Sequence, residues 1–272
     1  MTIWYPDVSN NQWSSVSDAI RFMEQLVLEG FSGVSHKCSE GDYFQDPYFA
    51  PVQKWCSANN FPLLPYHYVT TDNPAAQAQT FVANAGGAKV AMFDWEANGG
   101  DLANYYAVAA AFNAAGVNVG VGYCPKWYYD EVGGGDLSQA GAVVSSGYPG
   151  GSGYASTIYA NAGGDNGEGW APYGGVTPTC WQFTDQALIA GITVDCNAFK
   201  GTQEQLAQLF TGGPVTQPQP TDPTLAVVQD NQTQLRGPGL NGWPQLAGHT
   251  VVDALAVIGH KLGIPGFNPP TA

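Results

Sequence analysis

The sequence predicts an α/β fold: a flattened or incomplete (β/α)8-like barrel over residues 1–211, followed by a small helical two-helix segment. Three observations predict it. Short strand-like apolar runs alternate with helical patterns or long loops about eight times before residue 211. In the clearest run, Val90-Ala91-Met92-Phe93-Asp94-Trp95-Glu96, both parities are mostly apolar, as suits a strand covered on both faces. Acids (Asp7, Glu40, Asp94, Glu96, Asp195) and rings (Tyr66, Tyr68, Tyr123, Tyr148, Trp181) gather at the expected C-terminal strand ends, the rim at which such barrels keep their active sites.

Residues 2–9 form a first strand that ends in Asp7, and Asn10-Asn11-Gln12 turns the chain. Residues 17–29 are helical, with Ile20, Met23, Val27 and Leu28 near one face and Gly30 as the stop. Residues 31–36 are the second strand. Residues 46–59 are the second helix, with Pro47 in its first turn. Residues 61–69 are the third strand, 74–85 an Ala-rich helix and 90–96 the fourth strand. A helix over 101–115 ends at Gly116. The strand over 117–123 sets Val117, Val119 and Val121 on one face. Helical periods fade after residue 125. What remains is a short strand over 142–146, a glycine-rich loop over 163–175, strands over 179–184 and 192–197, and a helix over 203–210.

Composition narrows the function. Hydrophobic residues make up 44% of the 272, ample for a folded core. The net charge is −14 with only 8 Lys and Arg. No basic run offers the electrostatic footprint of a nucleic-acid binder. An acidic body also repels anionic polymers. No stretch approaches the roughly 18 apolar residues of a membrane span, and no basic segment followed by an apolar run marks a signal peptide. The 5 cysteines, at 38, 56, 124, 180 and 196, include no Cys-x-x-Cys pair, and no Cys/His cluster fits a zinc site. Buried free thiols are expected, with a Cys180–Cys196 bridge open if their strands are neighbours. No metal or cofactor is expected.

Asp94 and Glu96 share a parity, so they emerge on one side of their strand, roughly 6.5–7 Å apart along the backbone, with Trp95 turned to the core. Two acids at a strand end meet the needs of glycoside hydrolysis, in which one carboxylic acid protonates the leaving oxygen and another group stabilises the developing cation. Neighbouring ionised aspartates and partial burial would raise Glu96 so that it carries the proton, while Asp94 stays charged. Three routes stay open: substrate assistance through a sugar acetamido group oriented by Asp94, direct stabilisation of the cation, and nucleophilic attack by Asp94. Retention of configuration through substrate assistance is the expectation. Sugar C–H faces pack on rings, so Tyr66, Tyr123, Tyr148 and Trp181 are candidate subsite residues, with core packing as the alternative for each. Lys37 suits pairing with a rim acid, and His67, pointing away from Tyr66, suits a structural role.

The ordered set Asp7-Val8-Ser9, Lys37-Cys38-Ser39-Glu40-Gly41, Tyr66-His67, Asp94-Trp95-Glu96, Trp181-Gln182-Phe183 and Val194-Asp195-Cys196-Asn197 resembles glycoside hydrolase family 25, the N-acetylmuramidase lysozymes common in phage lysins and bacteria. The resemblance spans residues 1–211. It implies a β/α barrel that acts on peptidoglycan glycan strands, cleaving between N-acetylmuramic acid and N-acetylglucosamine. It also implies Glu96 as general acid/base, Asp94 assisting, and Asp7 and Asp195 completing an acidic rim; Gln182 and Lys37 join the rings as candidate substrate-binding residues. The family usually has Ala-Thr where this chain has Cys38-Ser39, and an aromatic-rich segment where it has Val143-Val144-Ser145-Ser146. Family 18 chitinases also end a strand in Asp-Trp-Glu, but need aspartates where this chain has Met92 and Lys89. A non-catalytic cell-wall-binding protein on the same fold is the alternative. The missing signal peptide fits a lysin made in the host cytoplasm and released to the wall through a holin pore.

Residues 212–222 read as a Pro-rich linker. Beyond it, residues 223–235 suit a helix. Thr250 caps a second helix whose stripe is Val251, Leu255, Ile258 and Leu262, ended by Gly263. A segment of about 50 residues is too small for a comfortable core of its own, so the module over 223–272 is expected to bind the cell wall or to form a homo-oligomer. Its segments around Gln234–Pro238, Gly242–Leu246 and Val252–Leu255 resemble C-terminal segments of mycobacteriophage lysins.

Overall fold

Nine strands form one sheet: β1 (Thr2–Val8), β2 (Val34–Glu40), β3 (Phe44–Gln45), β4 (Leu63–Tyr68), β5 (Val90–Asp94), β6 (Asn118–Tyr123), β7 (Ala142–Ser146), β8 (Cys180–Ile189) and β9 (Ile192–Lys200). Their neighbour order is β1-β9-β8-β7-β6-β5-β4-β2-β3, and a further pairing of β1 with β2 closes the first eight of that order into a barrel. Closure rests on two parallel register pairs, Asp7↔Ser35 and Val8↔His36. The short β3 adds only an antiparallel edge to β2. The computed structural model describes residues 2–212, 235, 246 and 250–266.

From β2 through β4, β5, β6 and β7 to β8 every pairing is parallel. The core is not parallel throughout, because β9 runs antiparallel to both β8 and β1. Only Ala190 and Gly191 separate β8 from β9, with φ of 50° and 82°. Two residues cannot make a parallel crossover, and two left-handed residues suit a type I′ hairpin turn. Asp195 therefore lies early in β9 rather than at the C-terminal end of a parallel strand. It still reaches the rim, because the antiparallel register pairs it with Asp7. No helix stands between β8 and β9. Phe183, Ala187, Ile189 and Val194 of the hairpin instead pack with Phe22, Met23 and Leu26 on the outer face.

The outer helices are α1 (Val16–Leu28), α2 (Phe49–Asn59), α3 (Pro74–Asn84), α4 (Leu102–Ala114), α5 (Lys126–Glu131), α6 (Ala155–Asn161) and α7 (Gln203–Thr211). Ser15, Asn73 and Asp101 cap α1, α3 and α4 by accepting backbone N–H bonds. Helix α2 starts later than Asp46 because that carboxylate is engaged elsewhere. It accepts from the backbone N–H of Asn10 at 2.7 Å and of Tyr48 at 2.8 Å, which leaves Pro47 ahead of the first turn. The six and seven residues of α5 and α6 are under two turns, too short to build a readable period.

Alternation along the strands divides the core in two. Tyr5, Leu64, Val90, Met92, Val121, Val144, Cys180 and Phe199 fill the barrel interior, and α7 closes its floor with Leu206, Leu209 and Phe210. The other parity packs under the helices. Cys180 faces the interior and Cys196 the outer layer, so these two thiols stand on opposite faces of one hairpin and form no bridge. All five cysteines are free and buried.

The chain divides into two compact units, Met1–Thr216 and Gln217–Ala272. In the second, α8 (Val251–Lys261) is capped by Thr250, whose hydroxyl accepts from the Asp253 N–H at 3.1 Å. Val252, Leu255 and Ile258 are exposed on it and Leu262 just past its end, whereas Val251 of the expected stripe is half-buried. The expected helix over 223–235 and the linker over 212–222 lie outside the described residues, apart from Leu235 and Gly212. No helix among the described residues is long and apolar enough to cross a membrane.

Candidate active site

The inward parity of the strands carries Asp7, Tyr66, Tyr68, Asp94 and Tyr123 to the top of the barrel. There they line a cleft of about 290 Å3 with Glu96, Tyr148, Gln182, Asp195 and Lys37. Two bulges shape it. In β2 the register slips from Lys37↔Tyr66 to Ser39↔His67, skipping Cys38. Strict alternation would send Lys37 and Glu40 to opposite faces. The bulge turns them the same way, and Lys37 Nζ donates to Glu40 Oε2 at 2.6 Å. Between β5 and β6 the register slips from Ala91↔Val119 to Met92↔Val121, skipping Gly120. Val117 and Val119 pack outside and Val121 inside. The three valines therefore do not share a face, and Tyr123 points into the cleft.

Asp94 ends β5, opposite Tyr68 on one side and Tyr123 on the other. Its Oδ1 is buried and has no hydrogen-bond partner. Burial, then the charge of Glu96, pushes its carboxyl well above the usual range, with the Lys37 ammonium opposing. Burial and the Glu96 charge thus both work against the ionised form that the sequence reading expects of Asp94. Glu96 lies beyond the strand, in the turn that follows, and its carboxyl is also raised, by burial and then by Asp7, against Lys37. That turn is tied from several sides. The Gly99 N–H donates to the Glu96 carbonyl at 2.8 Å. Trp95 Nε1 and the Tyr128 hydroxyl both donate to the Gly100 carbonyl, at 3.1 and 2.9 Å. The Tyr68 hydroxyl donates to the Ala97 carbonyl. Trp95 is fully buried beneath it. A Cβ at Gly99 would stand 2.8 Å from both Trp95 Cδ1 and the Glu96 carbonyl oxygen, so the turn needs glycine there.

Across the cleft, Asp7 Oδ2 accepts from Gln182 Nε2 at 2.7 Å and from Asn197 Nδ2 at 2.8 Å. Burial raises Asp7, while these amides and a hydrogen bond from Asp195 hold it down. Asp195 is pushed up to about 9, first by burial and then by the Asp7 charge. The pair therefore holds one proton on Asp195 and the charge on Asp7, because two close carboxylates cannot both ionise cheaply.

The structure brings together nine of the ten site residues read from the sequence. The exception is Trp181, which is 2% exposed and packs with Tyr159, Trp170 and Phe183 in the outer layer. Its indole donates to the Gly147 carbonyl at 3.0 Å. Neighbours on a strand face opposite ways, so with Gln182 in the cleft Trp181 cannot be. Lys37 lies over the Tyr68 ring at 5.0 Å as well as pairing with Glu40. His67 is structural. Its Nε2–H donates to Gln77 Oε1 at 3.0 Å, its Nδ1 accepts from the Ser39 hydroxyl at 2.8 Å, and burial pushes it down to about 4. Sequence reasoning missed Ser9, Asn11 and Gln12, which line the cleft from the 3-10 turn after β1. It also missed Asn197 as a ligand of Asp7. The signal for the first three is the Ser9-x-x-Gln12 capping box. No group of three or more potential metal ligands occurs among the described residues.

Four carboxyls around one cleft, some holding protons near neutral pH, can both donate a proton and stabilise a cation, which is the chemistry of glycoside hydrolysis. Comparison with known proteins points the same way. A lysozyme from Streptomyces coelicolor has the same fold, with a TM-score of 0.62 at 19% identity over 78% of this chain and 98% of that one. A family GH25 lysozyme from Aspergillus fumigatus gives 0.59 at 20% identity, covering 78% and 100%. The catalytic domain of the endolysin ply40 from bacteriophage P40 of Listeria monocytogenes gives 0.55 at 18%, covering 78% and 98%. No curated protein sequence matches the chain. A family model described as the Rv3766 C-terminal domain matches residues 199–264, from the end of β9 through α8. The model of glycosyl hydrolases family 25 matches residues 7–192, more than half of the chain, and the chain belongs to that family of glycoside hydrolases.

Proposed function

We propose that this chain is an endolysin-type muramidase, hydrolysing the β-1,4 bond between N-acetylmuramic acid and N-acetylglucosamine in bacterial peptidoglycan. The observation that carries the reading is the pairing of Asp94, with its buried unpartnered Oδ1, and Glu96 on one wall of an acid-lined cleft. A sugar acetamido N–H is the donor that Oδ1 lacks. A donor to a carboxylate favours its charged form, so substrate binding moves the proton from Asp94 towards Glu96. Glu96 then protonates the leaving oxygen. Asp94, now ionised, orients the acetamido oxygen for attack on the anomeric carbon, and Glu96 as base later activates water. Asp7 supplies standing negative charge for the oxocarbenium-like transition state, and Asp195 holds the spare proton. Tyr66, Tyr123 and Tyr148 contact the sugars, and Lys37 keeps the acids from rising further.

Residues 1–211 are the catalytic part in this reading. Residues 212–222 connect it to a module over 223–272 that binds the cell wall or self-associates, for which the exposed apolar stripe of α8 offers a surface. Action on the wall follows holin-type release. Dye release from purified peptidoglycan tests the proposal, with the wild-type chain and Glu96→Gln side by side. Release by the wild type alone is expected. No release by the wild type, with the chain still sedimenting with the wall, points to a non-catalytic binder instead.

A further inference from the structure

A single amide joins Asp7 to a ring at the mouth of the cleft. Gln182 is buried and donates through Nε2 to Asp7 Oδ2 at 2.7 Å. Its Oε1 accepts from the hydroxyl of Tyr148. A glutamine amide can sit either way round, and the wrong way would turn its oxygen onto the Asp7 carboxylate. The Asp7 carboxylate settles that choice, because it can only accept and so takes the NH2 side, which leaves Oε1 to accept from the Tyr148 O–H. The backbone holds the rest, since Gln182 stands opposite Asn197 in the β8–β9 register, and Asn197 supplies the second donor to the same oxygen of Asp7. Tyr148 is 44% exposed. It lines both the cleft and a second groove beside Pro149, Asn161 and Glu168.

We infer that Gln182 and Tyr148 are positioning residues: the Tyr148 hydroxyl anchors the oxygen end of the Gln182 amide, and the anchored amide fixes the Asp7 carboxylate against the sugar being cleaved. Both ends of Gln182 are engaged within the protein, so its part in the reaction runs through Asp7. Tyr148 has two separable parts, a ring that offers a stacking face and a hydroxyl that sets the relay. The assignment rests on the muramidase reading above.

The test uses the full chain and soluble glycan oligomers prepared from peptidoglycan. Tyr148→Phe keeps the ring and removes the relay. It is expected to lower kcat about threefold to tenfold with KM within twofold, since a hydrogen bond feeding a charged acceptor is at stake. Gln182→Ala is expected to lower kcat tenfold or more. The double variant should be no slower than Gln182→Ala, because both act in one chain. Full kcat in Tyr148→Phe, losses that multiply, or losses confined to KM would each overturn the relay. A readout without substrate keeps the two ideas apart, and it also serves if Gln182→Ala does not fold. The side-chain NH2 signals of Gln182 in NMR should be sharp and exchange-protected in the wild type and lose protection in Tyr148→Phe. Unchanged signals sink the relay even if the enzyme is a muramidase. Changed signals in a chain that cleaves no glycan keep the relay and remove the muramidase reading.

Discussion

The two walls of the cleft treat their acids in opposite ways. On the β1/β9 wall, Asp7 accepts two side-chain amides and faces a protonated Asp195. On the β5 wall, Asp94 has a buried oxygen with no partner, and Glu96 sits in a turn secured by backbone and ring contacts rather than by donors to its carboxylate. Hydrogen bonds to a carboxylate fix its charge, whereas their absence leaves the charge to be set by whatever arrives. In the proposed mechanism one wall keeps a charge still and the other passes a proton on.

The strongest way to break that contrast is Glu96→Gln. Losing the proton carrier is expected to lower kcat by about 10²–10⁴-fold with KM nearly unchanged, measured on soluble glycan oligomers. A loss under tenfold would move the acid elsewhere. Asp94→Asn should follow, at about 10²–10³-fold, because the amide keeps the shape but cannot take up the charge that substrate binding calls for. Asp195→Asn should cost under tenfold, since the amide mimics the protonated acid already present.

The same variant sharpens the contrast through stability. Asp195 titrates near 9 when folded, against about 3.9 unfolded. A raised carboxyl contributes stability that is full below the unfolded pKa and is lost as pH rises towards the folded one. Between about pH 4 and 9 the folded chain holds a proton that the unfolded chain does not. Asp195 should therefore make thermal stability fall as pH rises through this window, its own share being at most about 1.4 kcal/mol per unit and less than that because the cleft is open to water. Asp195→Asn should flatten the slope, as read by Tm from pH 5 to 8. An unchanged slope would place the proton on another group. The smallest effect on catalysis is expected from Trp181→Phe. Stability should drop by about 1–3 kcal/mol through lost packing, while KM stays at the wild-type value. A raised KM would return Trp181 to the sugar.

What was legible in the sequence follows from which signals are local. Asp94, Glu96 and Asp7 show up because an acid at the end of an apolar run needs only its own neighbours to be noticed. The bulges at Cys38 and Gly120 do not, because a register slip is a property of two strands together. With them went the common direction of Lys37 and Glu40 and the split of Val119 from Val121. The antiparallel β9 is compressed into Ala190-Gly191, where alanine at positive φ gives no turn signature of the Asn-Gly kind. Trp181 is a different case. Alternation with Gln182 already turns its ring outward, while nothing local to the motif separates a subsite ring from a core one. The charge state of Asp94 depends on burial depth and on donors from distant strands, neither of which the sequence carries.

As proposed, the acid-lined cleft cuts the bond on the muramic acid side. Mass analysis of the reducing ends released from purified peptidoglycan tests it most directly. N-acetylmuramic acid, or its wall-specific derivative, is expected at the new reducing ends. N-acetylglucosamine there, or glycan strands left intact, would contradict it.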